Sequence, residues 1–223
     1  MYDVKSNLTI GFHGCEASVR DELLLNPNRI KFSQKPFDWL GHGLYFWENN
    51  YERAWQWAID KKARGNIAKP AVVGAVLQLG HCCDFLESHY IDLLAIYYRL
   101  LDTVYQSKGI ELPENKDAPT DLHKDKLLRY LDCAVIELMH AELNMKINDD
   151  AGLNGISNYK SYDSVRGAFF EGGPAFEGSG IFAKTHIQVC IRNPNCIKGF
   201  FMPRQKIDFL YPLEKMQSTD FCG

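Results

Sequence analysis

Gly41-His42-Gly43-Leu44-Tyr45-Phe46-Trp47-Glu48-Asn49-Asn50 is a glycine turn, an aromatic strand and a helix cap in one run. The two glycines permit a sharp turn. The next residues, 44–47, are the large apolar and aromatic types that suit a pleated, half-buried strand. Asn49 or Asn50 can cap a helix predicted over residues 51–64, because an asparagine side chain accepts from the free amides of the first turn. The run therefore predicts a strand–helix unit.

Outward from this unit the pattern remains mixed. Toward the N-terminus, residues 8–14 predict a strand ending in a glycine turn, and residues 18–25 a helix with Ser18 as cap. Asn26-Pro27-Asn28 is a turn. Toward the C-terminus, valine-rich residues 71–79 predict a strand. A helix follows over 85–107. A second is opened by Ala118-Pro119-Thr120, with Leu127, Leu128, Leu131, Ala134, Val135, Leu138 and Met139 on one face. Residues 109–117 and 148–162 read as polar loops, and Gly172, Gly173, Gly178 and Gly180 punctuate another. Residues 186–191 and 197–201 predict two strands joined by Arg192-Asn193-Pro194-Asn195. The tail after Pro212 is expected to fray. Strands early, helices in the middle and strands late imply an α+β domain of antiparallel strands rather than a doubly wound sheet. The whole chain, residues 1–223, is read as one domain with a helical insertion over about residues 85–147.

Composition narrows the function. The formal net charge of −3 gives no global field toward nucleic acid or an anionic membrane, although a local basic patch such as Lys61-Lys62-Ala63-Arg64 remains available. The seven cysteines, Cys15, Cys82, Cys83, Cys133, Cys190, Cys196 and Cys222, are odd in number and lack a CxxC pair. Reduced, partly buried thiols are the expectation. His81-Cys82-Cys83 lacks the spacer of a zinc site, so no metal is expected. The N-terminus has no basic start followed by an apolar stretch, and the most apolar segment, residues 90–101, is interrupted by Asp92 and Arg99. A cytoplasmic protein that does not span a membrane is the expectation.

Three separated pieces carry the chemistry: Gly11-Phe12-His13-Gly14, the run from Gly41 to Asn50, and Thr185-His186-Ile187-Gln188-Val189-Cys190-Ile191 with Asn193-Pro194 and Ile197 after it. Together they resemble the His-Tyr-Glu class of ADP-ribosyltransferases, which includes diphtheria toxin and the poly-ADP-ribose polymerases. In that class a first strand ends in Tyr-His-Gly, matched here by Phe12-His13-Gly14. A second strand reads Gly-x-Gly-[Ile/Leu]-Tyr-Phe-Ala, matched here up to Phe46, with Trp47 in place of the alanine. The third signature position precedes an x-Pro-x-x-Ile turn, and counting back from Pro194 places it on Gln188. The resemblance covers about half the chain, its N-terminal third and last forty or so residues, and leaves residues 85–147 without a counterpart.

The resemblance implies a split antiparallel sheet, NAD as ADP-ribose donor, and transfer to a macromolecular acceptor, either protein or single-stranded nucleic acid such as RNA. An intracellular toxin or phage-defence effector, with a neutralising antitoxin protein as partner, fits a small member of the class. NAD holds nicotinamide through a cationic glycosidic bond, whose cleavage passes through an oxocarbenium-like transition state. His13 is expected to bond a ribose hydroxyl of the adenosine half and Gly14 to let its backbone reach the carboxamide. Tyr45 is expected to stack on the nicotinamide. Gln188 takes the 2′-hydroxyl of the nicotinamide ribose, but as an amide it adds no negative charge, which argues against chain elongation and leaves mono-transfer open. Glu171, or Glu177, is the candidate for the missing carboxylate, with Arg166 as a partner for Glu171 or for a phosphate. The class carries a second stacking tyrosine eleven residues after the first. Here that count reaches Gln56 between Trp55 and Trp57, and Trp57 is the preferred second wall. A non-catalytic NAD- or ADP-ribose-binding module and an NAD glycohydrolase are the competing readings.

Overall fold

The computed structural model describes residues 4–119 and 121–204. The strands are β1 (Val4–Glu16), β2 (Leu44–Glu48), β3 (Pro70–Asp84), β4 (Ser164–Phe169), β5 (His186–Ile191) and β6 (Ile197–Phe201). The helices are α1 (Ala17–Leu25), α2 (Tyr51–Ala63), α3 (Ser88–Lys108) and α4 (Tyr130–Asn154). The architecture is α+β, with a six-stranded sheet that is antiparallel except where β4 runs parallel to β3. Among the described residues no helix is long and apolar enough to cross a membrane.

Strand pairing closes on itself. β1 pairs with β2, β2 with β5, β5 with β4, β4 with β3, and β3 with β1, while β6 also pairs with β3. The period-2 alternation of β2 and β5 then divides two cores. Leu44, Phe46, Val189 and Ile191 pack with Ala75, Leu77, Leu79 and Cys82 of β3. Tyr45 and Cys190 face the other way, into a cluster with Leu40, Val165 and Cys83, and with Tyr90 of α3 and Ile136 and Met139 of α4. The helical segment is thus a layer on the sheet. Helix α2 covers β1 and β3 through Ala54 and Val72, with Trp47 and Trp57 alongside. Cys15, Cys82, Cys83, Cys133, Cys190 and Cys196 are buried free thiols, and no cluster of His, Cys, Asp or Glu among the described residues could hold a metal.

Several boundaries differ from the sequence expectation. Helix α1 is capped by Glu16, not Ser18: its carboxylate accepts from Ala17 N–H and also ties down Ala68 and Lys69. Helix α4 begins at Tyr130, because Leu128 is held in a bridge to Lys116, and it continues through the expected loop to Asn154, stopping at Gly155 with φ 78°. Strand β4 lies where no strand is predicted. Strands β5 and β6 form no hairpin: the 3-10 turn Pro194–Cys196 redirects the chain so that β6 pairs with β3. Thr120, Cys222 and the tail after Pro212 lie outside the described residues.

Candidate functional site

Strands β1 and β2 share only the pairs Gly11↔Glu48 and Phe12↔Trp47. At the next residue the side chain of His13 takes over, its Nδ1 lying 2.8 Å from the Tyr45 carbonyl oxygen. A carbonyl only accepts, so Nδ1 carries the proton and Nε2 is the free lone pair. Burial first, with Lys61 adding to it and the Tyr45 bond opposing it, lowers the His13 pKa and keeps the ring neutral. Gly14 packs directly under α2: a Cβ there would lie 2.2 Å from the Ala54 carbonyl oxygen, so any side chain would push the helix away.

Tyr45 sits on the sheet face that carries Gln188. Their strands pair as Tyr45↔Cys190 and Trp47↔Gln188, which makes Tyr45 and Gln188 diagonal neighbours. The Tyr45 hydroxyl donates to the Gly41 carbonyl at 2.7 Å and accepts from Leu40 N–H at 2.9 Å. Burial, then the Cys190 thiol and Asp38, push its pKa well above the ordinary value, so the phenol stays protonated and offers a ring, not a base. Gln188 is buried, and its Oε1 accepts from the Trp39 indole N–H at 2.6 Å. Trp39 also lies over Gly167, the β4 partner of Gln188.

A continuous series of ring contacts crosses this region. Trp39 meets Phe169 at 4.9 Å, Phe169 meets His186 at 5.6 Å, and His186 meets Trp47 at 6.2 Å. Trp47 then meets Trp57 at 5.5 Å, and Trp57 meets His13 at 6.4 Å. Trp57 is therefore on the His13 side. Its neighbour Gln56 instead accepts from Arg53 at 2.7 Å, and the two line a groove of about 490 Å³ with Asn50, Asp60, Lys184 and Thr185. Glu171 accepts from the buried Arg53 guanidinium and lies 3.9 Å from His186. It is not paired with Arg166 as the sequence suggests. Arg166 is bidentate to Glu48, at 2.6 and 3.0 Å, and bonded to Asp84 at 2.9 Å. Both carboxylates raise its pKa, so this arginine is committed within the fold. Glu177 is exposed in the glycine loop.

Sequence reasoning alone did not point to Trp39, Arg53, Arg129 or His186. Only His186 had a local signal, the His-x-Gln spacing that puts it on the Gln188 face of a strand. Its Nδ1 faces the Lys184 carbonyl at 2.7 Å, and burial lowers its pKa to about 4, leaving a neutral ring with Nε2 as acceptor. Five buried side-chain polar atoms lack a partner among the described residues. Four of them, Trp47 Nε1, Arg53 Nε, Arg129 Nε and His186 Nε2, belong to this ring series or to residues against it. Buried polar atoms are almost always satisfied, so these four stand out, although each is sealed from solvent in this conformation. Compared with family models, with curated proteins and with solved structures, the chain matches none.

Proposed function

We propose that this chain is a mono-ADP-ribosyltransferase that takes ADP-ribose from NAD and transfers it to a macromolecular acceptor, as an intracellular toxin or phage-defence effector. The observation that carries the reading is the convergence of three distant segments: His13 is bonded to the Tyr45 backbone, and Gln188 lies diagonally beside Tyr45 on the same face. When bound, NAD supplies an activated glycosidic bond whose leaving group is neutral nicotinamide. The chain's residues orient it. His13 offers Nε2 to a ribose hydroxyl, Tyr45 and Trp57 supply aromatic walls, and the Gln188 amide holds the 2′-hydroxyl. The Glu171 carboxylate, at the His186 end of β5, stabilises positive charge developing on the ribose. The acceptor's nucleophile forms the new bond to the ribose C1′ as the bond to nicotinamide breaks, and the acceptor loses a proton.

The alternative is a non-catalytic NAD- or ADP-ribose-binding module. It is favoured by the Trp39 bond to Gln188 and by Trp47, whose indole fills space where the resembling class carries alanine. Incubation with NAD labelled in its adenylate moiety separates the readings. Label on macromolecules supports the transferase, free ADP-ribose indicates a glycohydrolase, and intact NAD with saturable binding indicates the module. Absence of both turnover and binding sinks all three.

A further inference from the structure

Residues 26–37 contain Arg29, Lys31 and Lys35 and no Asp or Glu, and the end of α2 adds Lys61, Lys62 and Arg64. In a chain whose net charge is −3, this is a local excess of positive charge. Lys61 is its centre. It is half-buried, its Nζ lies 4.1 Å from the centre of the Trp57 ring, and that ring is 6.4 Å from His13. Burial, then the charges of Lys35 and Arg64, lower its pKa, so Lys35 of the loop and Arg64 of the helix end lie close enough to Lys61 to repel it. Among the described residues, Lys31, Lys35, Lys61 and Lys62 form no salt bridge with a carboxylate, whereas Arg29 pairs with Glu22. Partly desolvated cations that repel one another are stabilised by an external anion. Aromatic rings are interleaved with them. Phe32 is 37% exposed, and Phe37 has the Lys35 ammonium 5.7 Å from its ring centre.

We propose that this face, formed by residues 29–37 and the C-terminal end of α2, binds the phosphates of a single-stranded nucleic acid and delivers it to the seam beside His13. The pairing of cations for phosphates with rings for bases is the chemistry of single-strand binding; a duplex offers its phosphates but not its base faces. The inference names the acceptor class for the transfer proposed above and takes its purpose from that reading, although the binding itself requires no NAD.

The test is fluorescence anisotropy of a labelled single-stranded RNA of about 20 nucleotides without NAD, from about 50 to 200 mM salt. The Lys35→Ala/Lys61→Ala variant is expected to bind roughly tenfold more weakly, with the salt slope reduced by about 1.4 for two lost phosphate contacts. The Lys35→Arg/Lys61→Arg variant is expected to retain wild-type binding, since it keeps the charges. Equal affinity for wild type and the double alanine variant, or loss of binding in the arginine variant, would overturn the proposal. So would competition by duplex RNA as strong as by the single strand. Equal competition by poly-glutamate would overturn it in favour of an acidic protein partner. RNA binding without label transfer from NAD would leave this surface standing and remove the transferase. Transfer to protein without RNA binding would do the reverse.

Discussion

His13 has two duties whose costs are separable. Its Nδ1–H satisfies the Tyr45 carbonyl where the β1–β2 ladder ends, and an unsatisfied carbonyl in a partly buried place costs about 1–3 kcal/mol. His13→Ala is expected to lower the urea midpoint accordingly and to abolish NAD binding measured by calorimetry. A folded variant that binds NAD as wild type does would remove His13 from the site. Trp39 is the second informative residue. Its indole N–H takes one of the two lone pairs of the Gln188 oxygen at 2.6 Å, so a ribose hydroxyl bonded to that oxygen shares it with the indole. Trp39→Phe keeps a ring over Gly167 and deletes only the N–H. If that bond is worth about 1 kcal/mol, freeing Gln188 is expected to lower the KM for NAD by up to about fivefold while kcat holds. An unchanged KM would show that Trp39 does not compete for the ribose.

At the scale of elements, the turn before β2 is held from outside. Gly41 adopts φ 79°, and a Cβ there would lie 2.5 Å from Glu137 Oε1 and 2.9 Å from Arg192 Nη1. Glu137 of α4 accepts from His42 N–H at 2.8 Å and from Arg192 at 2.5 and 3.2 Å, while Arg192 also donates to the His42 carbonyl. Burial alone would push the Glu137 carboxyl up, but the Arg192 bonds and the His42 amide outweigh it and hold its pKa low. Glu137→Ala is expected to cost about 2 kcal/mol, less than a fully buried pair because Glu137 is partly exposed. It should also speed amide hydrogen exchange at Leu40 and His42; unchanged exchange would show that the clamp holds nothing. This clamp was not legible in the sequence, since it joins residues about 95 apart. The β2–α2 unit was, because its signals are local: an aromatic run, then Asn50, whose Oδ1 accepts from Arg53 N–H at 3.0 Å. Strand β4 was hidden because it lies between β3 and β5 and its arginine points at Glu48 and Asp84 rather than at water. The polar positions of Ser164-Val165-Arg166-Gly167 therefore mark no solvent face, since Ser164 is fully buried with its hydroxyl on the Leu79 carbonyl and Arg166 is held by carboxylates. The three motif pieces gave His13, Tyr45 and Gln188. Trp39 and Arg129 reach the same place from irregular segments, whose course no periodicity encodes.

For the molecule as a whole, acid stability carries the signature of its buried histidines. Burial lowers His186 to about 4 and His140 to about 3, and it lowers His13 as well, from an ordinary 6.5. The unfolded chain takes up protons at these rings as pH falls through 6.5, while the folded chain does not until far lower. Stability is therefore full above pH 6.5 and is lost as pH falls toward 4, by up to about 1.4 kcal/mol per pH unit for each histidine. Carboxylates complicate the lower part of that window, since Glu137 is lowered while Asp38 is raised, so the informative range is pH 6.5 to 5. His140 isolates the effect. It lies in α4 with its ring 5.9 Å from Tyr162 and its Nε2 buried without a partner, and the charges that act on it are those of Arg192, which lowers its pKa further, and Glu137, which opposes this. His140→Leu replaces a buried unsatisfied ring with an apolar side chain of similar size, so at pH 7 it is expected to be neutral or slightly stabilising. Between pH 6.5 and 5 its urea midpoint should fall less steeply than that of the wild type, by the share of one histidine. Parallel curves for the two proteins would mean that His140 is protonated as readily in the folded chain as in water, and that the layer of α3 and α4 does not seal it.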